Sequence, residues 1–126
     1  MAEALLVGAG AVLGAWLRWM CGIFFNPIFP TLPLGTVVAN LLGGLLMGVM
    51  IEITRTHTYI PEITRLALTT GFLGALTTFS TFSGEVTLML LKQEYLWALA
   101  AIVIHVGGSL MLTLTGMFFV KWSMGW

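Results

Sequence analysis

An all-α membrane protein of four transmembrane helices is the fold class that three features of the sequence predict. Hydrophobic residues make up 59% of the 126 and charged residues only 8%. The mean hydropathy is +1.02. The few charges are spaced so that the runs between them can cross about 30 Å of hydrocarbon. Soluble domains carry about 25% charged residues, so an ordinary soluble fold is excluded. Four spans of about 20 residues use nearly the whole chain, and one integral membrane domain over 1–126 is expected, without a soluble domain. Lys plus Arg and Asp plus Glu are five each, which provides neither a nucleic-acid footprint nor a polybasic lipid anchor.

The first span is expected over 4–25, interrupted only by Arg18. The segment before it lacks the positive region of a secretory signal, and the apolar run is too long for a signal core, so it is expected to be retained. Asn26-Pro27, Pro30 and Pro33 end the helix, because proline has no backbone N–H and restricts the residue before it. The uncharged run 34–51 gives a second span, closed by Glu52, Arg55 and His57. Pro61 suits the first turn of the next helix. The third span is expected over 66–91, with Glu85 as its one charge, and the fourth over 95–120, where only a protonated His105 would be charged. Trp16, Trp19, Trp97, Trp122 and Trp126 fall mostly toward span ends, where indole rings favour the headgroup region. The single cysteine, Cys21, lies in an apolar run and reads as a packing residue.

An even number of spans puts both termini on one side with the loop after span two. That side carries Arg55, Arg65 and Lys121, against Lys92 and Arg18 toward the other. So small a bias leaves two readings: one weakly fixed orientation, or insertion both ways and a dimer of oppositely oriented copies. Four helices hardly enclose a solvated path, so an oligomer is expected in either case. Gly10 with Gly14, Ala11 with Ala15, and Gly44 with Gly48 are small residues four apart, suited to close helix contact within or between subunits.

Candidate functional residues cluster in the third span. Gly71 and Gly74 precede Thr77, Thr78, Ser80, Thr81 and Ser83, a composition of poor helix propensity in mid-membrane. The segment is either a helix whose hydroxyls bond back to earlier carbonyls, or a break. Backbone groups freed by a break must be buried in protein or line a wet cavity. Phe79 and Phe82 project within about 60° of each other on a helix, either for packing or to offer positive ring edges to an anion. Asn40 is the one amide inside a span and needs partners, across helices or on a ligand. With Ser109 and Thr113, one turn apart on span four, it suggests a polar track. Arg18 and Glu85 are intramembrane charges, read as vestibule or structural groups that can snorkel toward the surface. His105 reads as a packed, hydrogen-bonded residue, since no second embedded His stands at ligand spacing. His57 and the eight methionines carry no functional signal. No nucleophile with a base, no carboxylate pair and no phosphate loop appears, so the chain is not expected to be an enzyme.

The run 74–83 (GALTTFSTFS), with 35–40 (GTVVAN) upstream, Arg18-Trp19 in span one and 105–109 (HVGGS) in span four, resembles the Fluc or CrcB family of bacterial fluoride channels over the whole chain. That resemblance implies an antiparallel, dual-topology homodimer with a broken third helix. It implies a multi-pass protein of the bacterial inner membrane with two pores that pass fluoride passively out of the cell, protecting it from fluoride toxicity. By the family pattern Phe79 and Phe82 are the aromatic box, Asn40 the pore amide, and Ser109 and Thr113 the polar track. Arg18 is similar to the vestibule arginine and Glu85 to the acidic residue after the box. The carbonyls of Gly74 and Thr77 match the positions that hold a structural sodium ion at the dimer centre. The alternative is a proton-coupled exporter similar to the small multidrug resistance proteins. Its first span should carry an embedded carboxylate, whereas Glu3 stands at the extreme end of that span.

Overall fold

The structure, a computed structural model, describes residues 1–56 and 60–125. His57 and Trp126 lie outside the described residues. Every regular element among those described is a helix, as the composition requires. Helix α1 (Ala2–Phe25) runs into a 3-10 turn at Asn26–Ile28, and the proline-containing connection leads to α2 (Leu34–Thr56). The Gly35 N–H donates to Asn26 Oδ1 at 2.8 Å, which satisfies one of the open donors at the start of α2. Phe29 packs on Trp97 with ring centroids 5.1 Å apart, tying the connection to the beginning of the last helix. Helix α2 continues past Ile51 because Glu52 is inside the fold, 2% exposed, with its carboxylate paired to Arg55 at 2.8 Å.

The next stretch is built from two shorter helices. Helix α3 (residues 62–76) joins Glu62–Leu66, a π-helical segment Ala67–Leu73 and a last turn Gly74–Leu76, and α4 spans Phe79–Leu91. Helix α5 (Tyr95–Ser123) contains a second π-helical segment at Val103–Gly108. Ala2–Ile28, Leu34–Thr56 and Tyr95–Ser123 are each long and apolar enough to cross a membrane. At about 1.5 Å per residue, α3 and α4 each fall short of the hydrocarbon thickness. Between α4 and α5, Gln93 takes a left-handed conformation (φ 63°), and the Glu94 N–H closes the turn on Met89 O at 2.9 Å.

The two short helices serve different cores. Leu73 and Leu76 of α3 are buried with Cys21 of α1 and Ala39 of α2. Phe82, Val86 and Met89 of α4 are buried with Val37 of α2 and Ala98 and Ala101 of α5. The chain therefore changes partners between Leu76 and Phe79, with α2 common to both cores. Backbones approach closely at all four of the glycines paired above, as Gly14 and Gly48 illustrate. A Cβ on Gly14 would meet the Phe72 carbonyl of α3, and one on Gly48 the Thr113 carbonyl of α5. Both contacts lie within one subunit.

Candidate functional site

The polar centre of the fold is the junction of α3 and α4. Helix α3 ends at Leu76, Thr77 (φ −80°, ψ 153°) and Thr78 (φ −150°, ψ 114°) are extended, and α4 starts at Phe79. In an unbroken helix the N–H of Thr78 would reach Gly74 O and that of Thr81 would reach Thr77 O. Here the Thr78 N–H donates to Asn40 Oδ1 at 2.7 Å. The Thr81 N–H donates to Thr78 Oγ1 at 3.1 Å, which makes Thr78 the N-cap of α4. The donors that would occupy the Gly74 and Thr77 carbonyls are thus directed elsewhere.

Asn40 holds this junction with its whole side chain. Its oxygen accepts from Thr78 N–H, while Nδ2 donates to Thr78 O at 3.1 Å and meets His105 Nδ1 at 3.0 Å. Both amide hydrogens therefore have protein acceptors, and what Asn40 does in this geometry is position Thr78 and His105.

A groove of about 440 Å³ runs beside the junction, and Asn40, Thr77, Thr78, Phe79, Phe82, His105, Ser109 and Thr113 all line it. The two phenyl rings meet edge-on, with centroids 5.5 Å apart and planes at 66°. Their surroundings differ: Phe82 is 7% exposed, whereas Phe79 is 76% exposed. Phe82 also stacks at a tilt on His105, with centroids 4.6 Å apart. The Thr113 hydroxyl is within donating distance of Gly44 O (3.0 Å) and Ser109 O (2.8 Å), so its proton is committed to the backbone. Among the described residues no Lys or Arg lines the groove.

A family described as CrcB-like protein, Camphor Resistance (CrcB), matches residues 5–117. The chain belongs to this family. A relative named fluoride-specific ion channel FluC from Nitrosospira multiformis is 53% identical over 116 residues, covering 92% of this chain and 91% of its own. Relatives of the same name from Ralstonia pickettii and Tolumonas auensis are both 51% identical, covering 93% and 91% of this chain and the same shares of their own. This CrcB-like chain is a multi-pass bacterial membrane protein.

On the other side of Thr78, the CrcB-like fold forms a second cleft of about 520 Å³. Arg18 lines it together with Thr36, Thr78, Thr81 and Glu85. The Thr36 hydroxyl donates to a Glu85 carboxylate oxygen. Thr78 is common to this cleft and the groove, so the extended segment separates a region bearing a cation from one bearing aromatic edges. His105 is packed and hydrogen-bonded, as the sequence suggests, but its partner, Asn40, is not evident from the sequence. Two signals mark the residue itself: its place in the middle of span four, and the Gly107-Gly108 doublet that follows it. The ring sits in the π-helical segment of α5, a deformation frequent at functional sites.

Proposed function

We propose that this protein is a fluoride-selective passive channel that lets cytoplasmic fluoride leave the cell and so protects it from fluoride toxicity. The observation that carries this reading is the groove itself. Two phenyl rings in edge-to-face contact and several hydroxyls line it beside a helix interruption, and among the described residues no Lys or Arg lines it to trap an anion. The names of the relatives supply the ion.

Conduction needs binding strong enough to replace part of the hydration shell and weak enough to release the ion. The edge of a phenyl ring carries partial positive charge, and the Ser109 hydroxyl in the groove can add a donor without a full charge. The positive end of the α4 dipole faces the junction and favours an anion there, as half-helix N-termini do in other membrane transport proteins. Arg18 raises the local anion concentration in the neighbouring cleft. An inside-negative potential drives the anion outward, and no coupling is needed.

In this reading α3 and α4 in series form a broken third span, which brings the total to four, and two oppositely inserted copies assemble as an antiparallel homodimer. The exposure of Phe79 in mid-membrane supports a partner there, as does the near balance of basic residues between the two sides. The carbonyls of Gly74 and Thr77, whose helical donors are directed elsewhere, suit a hard monovalent cation such as sodium at the dimer centre. When bound, that cation would balance the negative end of α3 and join the two interruptions. Purified protein in liposomes loaded with fluoride and chloride tests the function. A potassium ionophore should release fluoride and leave chloride inside. Release of both halides, of neither, or a proton-coupled uptake of organic cations would contradict it.

A further inference from the structure

The hydrogen atoms shared by Asn40, Thr78 and His105 can be placed in only one way. The Thr78 N–H donates to Asn40 Oδ1 at 2.7 Å, which fixes the oxygen end of the amide. Nδ2 then carries both donors, one on Thr78 O at 3.1 Å and one facing His105 Nδ1 at 3.0 Å. A group that only donates requires Nδ1 to accept, so the neutral ring bears its proton on Nε2. His105 is 4% exposed, and Nε2 has no hydrogen-bond partner among the described residues. A buried N–H without an acceptor is costly, and none of the described residues supplies one to Nε2.

We propose that Asn40 is a positioning residue that acts on conduction through His105. It holds the imidazole neutral with its proton on Nε2, and a proton added at Nδ1 releases the clamp on Thr78 and slows fluoride passage. The proposal rests on the channel reading above. Protonation puts an Nδ1–H opposite the Asn40 N–H at 3.0 Å, and two donors cannot pair. To offer its oxygen to the ring, the amide must give up both bonds to Thr78, one of the two extended residues that set the geometry between α3 and α4.

The surroundings provide no counter-charge for an imidazolium. Helix α2 presents the Asn40 amide and α4 presents the Phe82 ring. Among the described residues no other one lining the groove is titratable. Glu85, one turn beyond Phe82, accepts from Thr36 and lines the neighbouring clefts instead, with Arg18 in one and Lys92 and Glu94 in the other. Among the described residues no carboxylate is ion-paired to His105.

Two measurements test the interlock. In protein labelled with ¹⁵N and reconstituted in bilayers, a His57→Gln variant leaves His105 as the one histidine, and its ring should show a protonated Nε2 and a bare Nδ1 at neutral pH. On acidification the Thr78 amide resonance should move together with the ring. Fluoride efflux is followed at equal pH on both sides between about pH 8 and about pH 5, with protein-free vesicles correcting for leakage of HF. Wild-type flux should fall at least about twofold toward acid, the lower bound expected for the loss of a single hydrogen bond. His105→Gln keeps an acceptor for Asn40 but does not titrate, so its profile should be flat. A protonated Nδ1 at neutral pH, a Thr78 amide indifferent to the ring's titration, or the same profile in wild type and His105→Gln would overturn the proposal. Absence of fluoride flux at every pH overturns the channel reading and this proposal together. Flux that is present but unaffected by pH overturns this proposal alone.

Discussion

Phe82 meets Phe79 edge-to-face, stacks at a tilt on His105 and belongs to the core that α4 shares with α2 and α5, whereas Phe79 has most of its ring outside the subunit. Isoleucine at either position keeps apolar bulk and removes the ring quadrupole, and each change should lower fluoride flux more than about tenfold if ring edges carry the ion. The two variants should differ in stability. Phe82→Ile should cost about 1–2 kcal/mol because its site is packed, while Phe79→Ile should leave subunit folding intact. Thermal unfolding in detergent beside the flux assay separates these effects, and undiminished flux in both variants would remove the aromatic mechanism. Asn40→Asp replaces two donors by a charge, so it should lose both the Thr78 O and His105 Nδ1 bonds and abolish flux. That Asn40 needed partners was legible in the sequence, because an amide inside an apolar span cannot stay unpaired. Which partners it takes was not legible, because Thr78 is 38 and His105 65 residues away along the chain.

Helix contacts here depend on the absence of side chains at particular positions. Gly14→Val and Gly48→Val would drive a Cβ into the carbonyls of Phe72 and Thr113, and each should destabilise the subunit by about 1–3 kcal/mol or prevent folding. Gly74 is different: an added Cβ would have only Thr69 O near it, at 3.6 Å, an ordinary contact. Gly74→Val should therefore leave the isolated subunit's fold unchanged, and a loss of dimer on size-exclusion chromatography would report a crossing with a partner. An intact dimer with full flux would remove Gly74 from that crossing. Gln93→Gly, which relieves a left-handed residue in the turn 92–94, should stabilise by about 1 kcal/mol. The composition of 74–83 directed attention to the segment in which Thr77 and Thr78 lie, since glycines and hydroxyls there hold an unbroken helix poorly. The two π-helical segments left no such trace, because a single wide turn hardly alters an apolar pattern. Glycines four apart announced close packing, and only coordinates distinguish the neighbouring helix of the same subunit from one in another copy.

At the scale of the assembly, the reading requires two orientations of one sequence. Gln93 is exposed in the turn between α4 and α5, so Gln93→Cys in a Cys21→Ser background should react with impermeant reagent from both faces of the membrane. Labelling from one face alone would reject dual insertion. Replacing sodium on both sides by a large organic cation should slow fluoride efflux without changing halide preference, and unchanged flux after exhaustive exchange would remove the structural cation. Charge counts carried little of this, because three basic residues against two hardly bias insertion. The reversal potential of the purified protein in a planar bilayer with separate fluoride, chloride and proton gradients tests passive fluoride selectivity most directly. It should sit at the fluoride equilibrium potential and ignore the other two gradients; a reversal potential that follows chloride or the pH difference would contradict a passive fluoride channel.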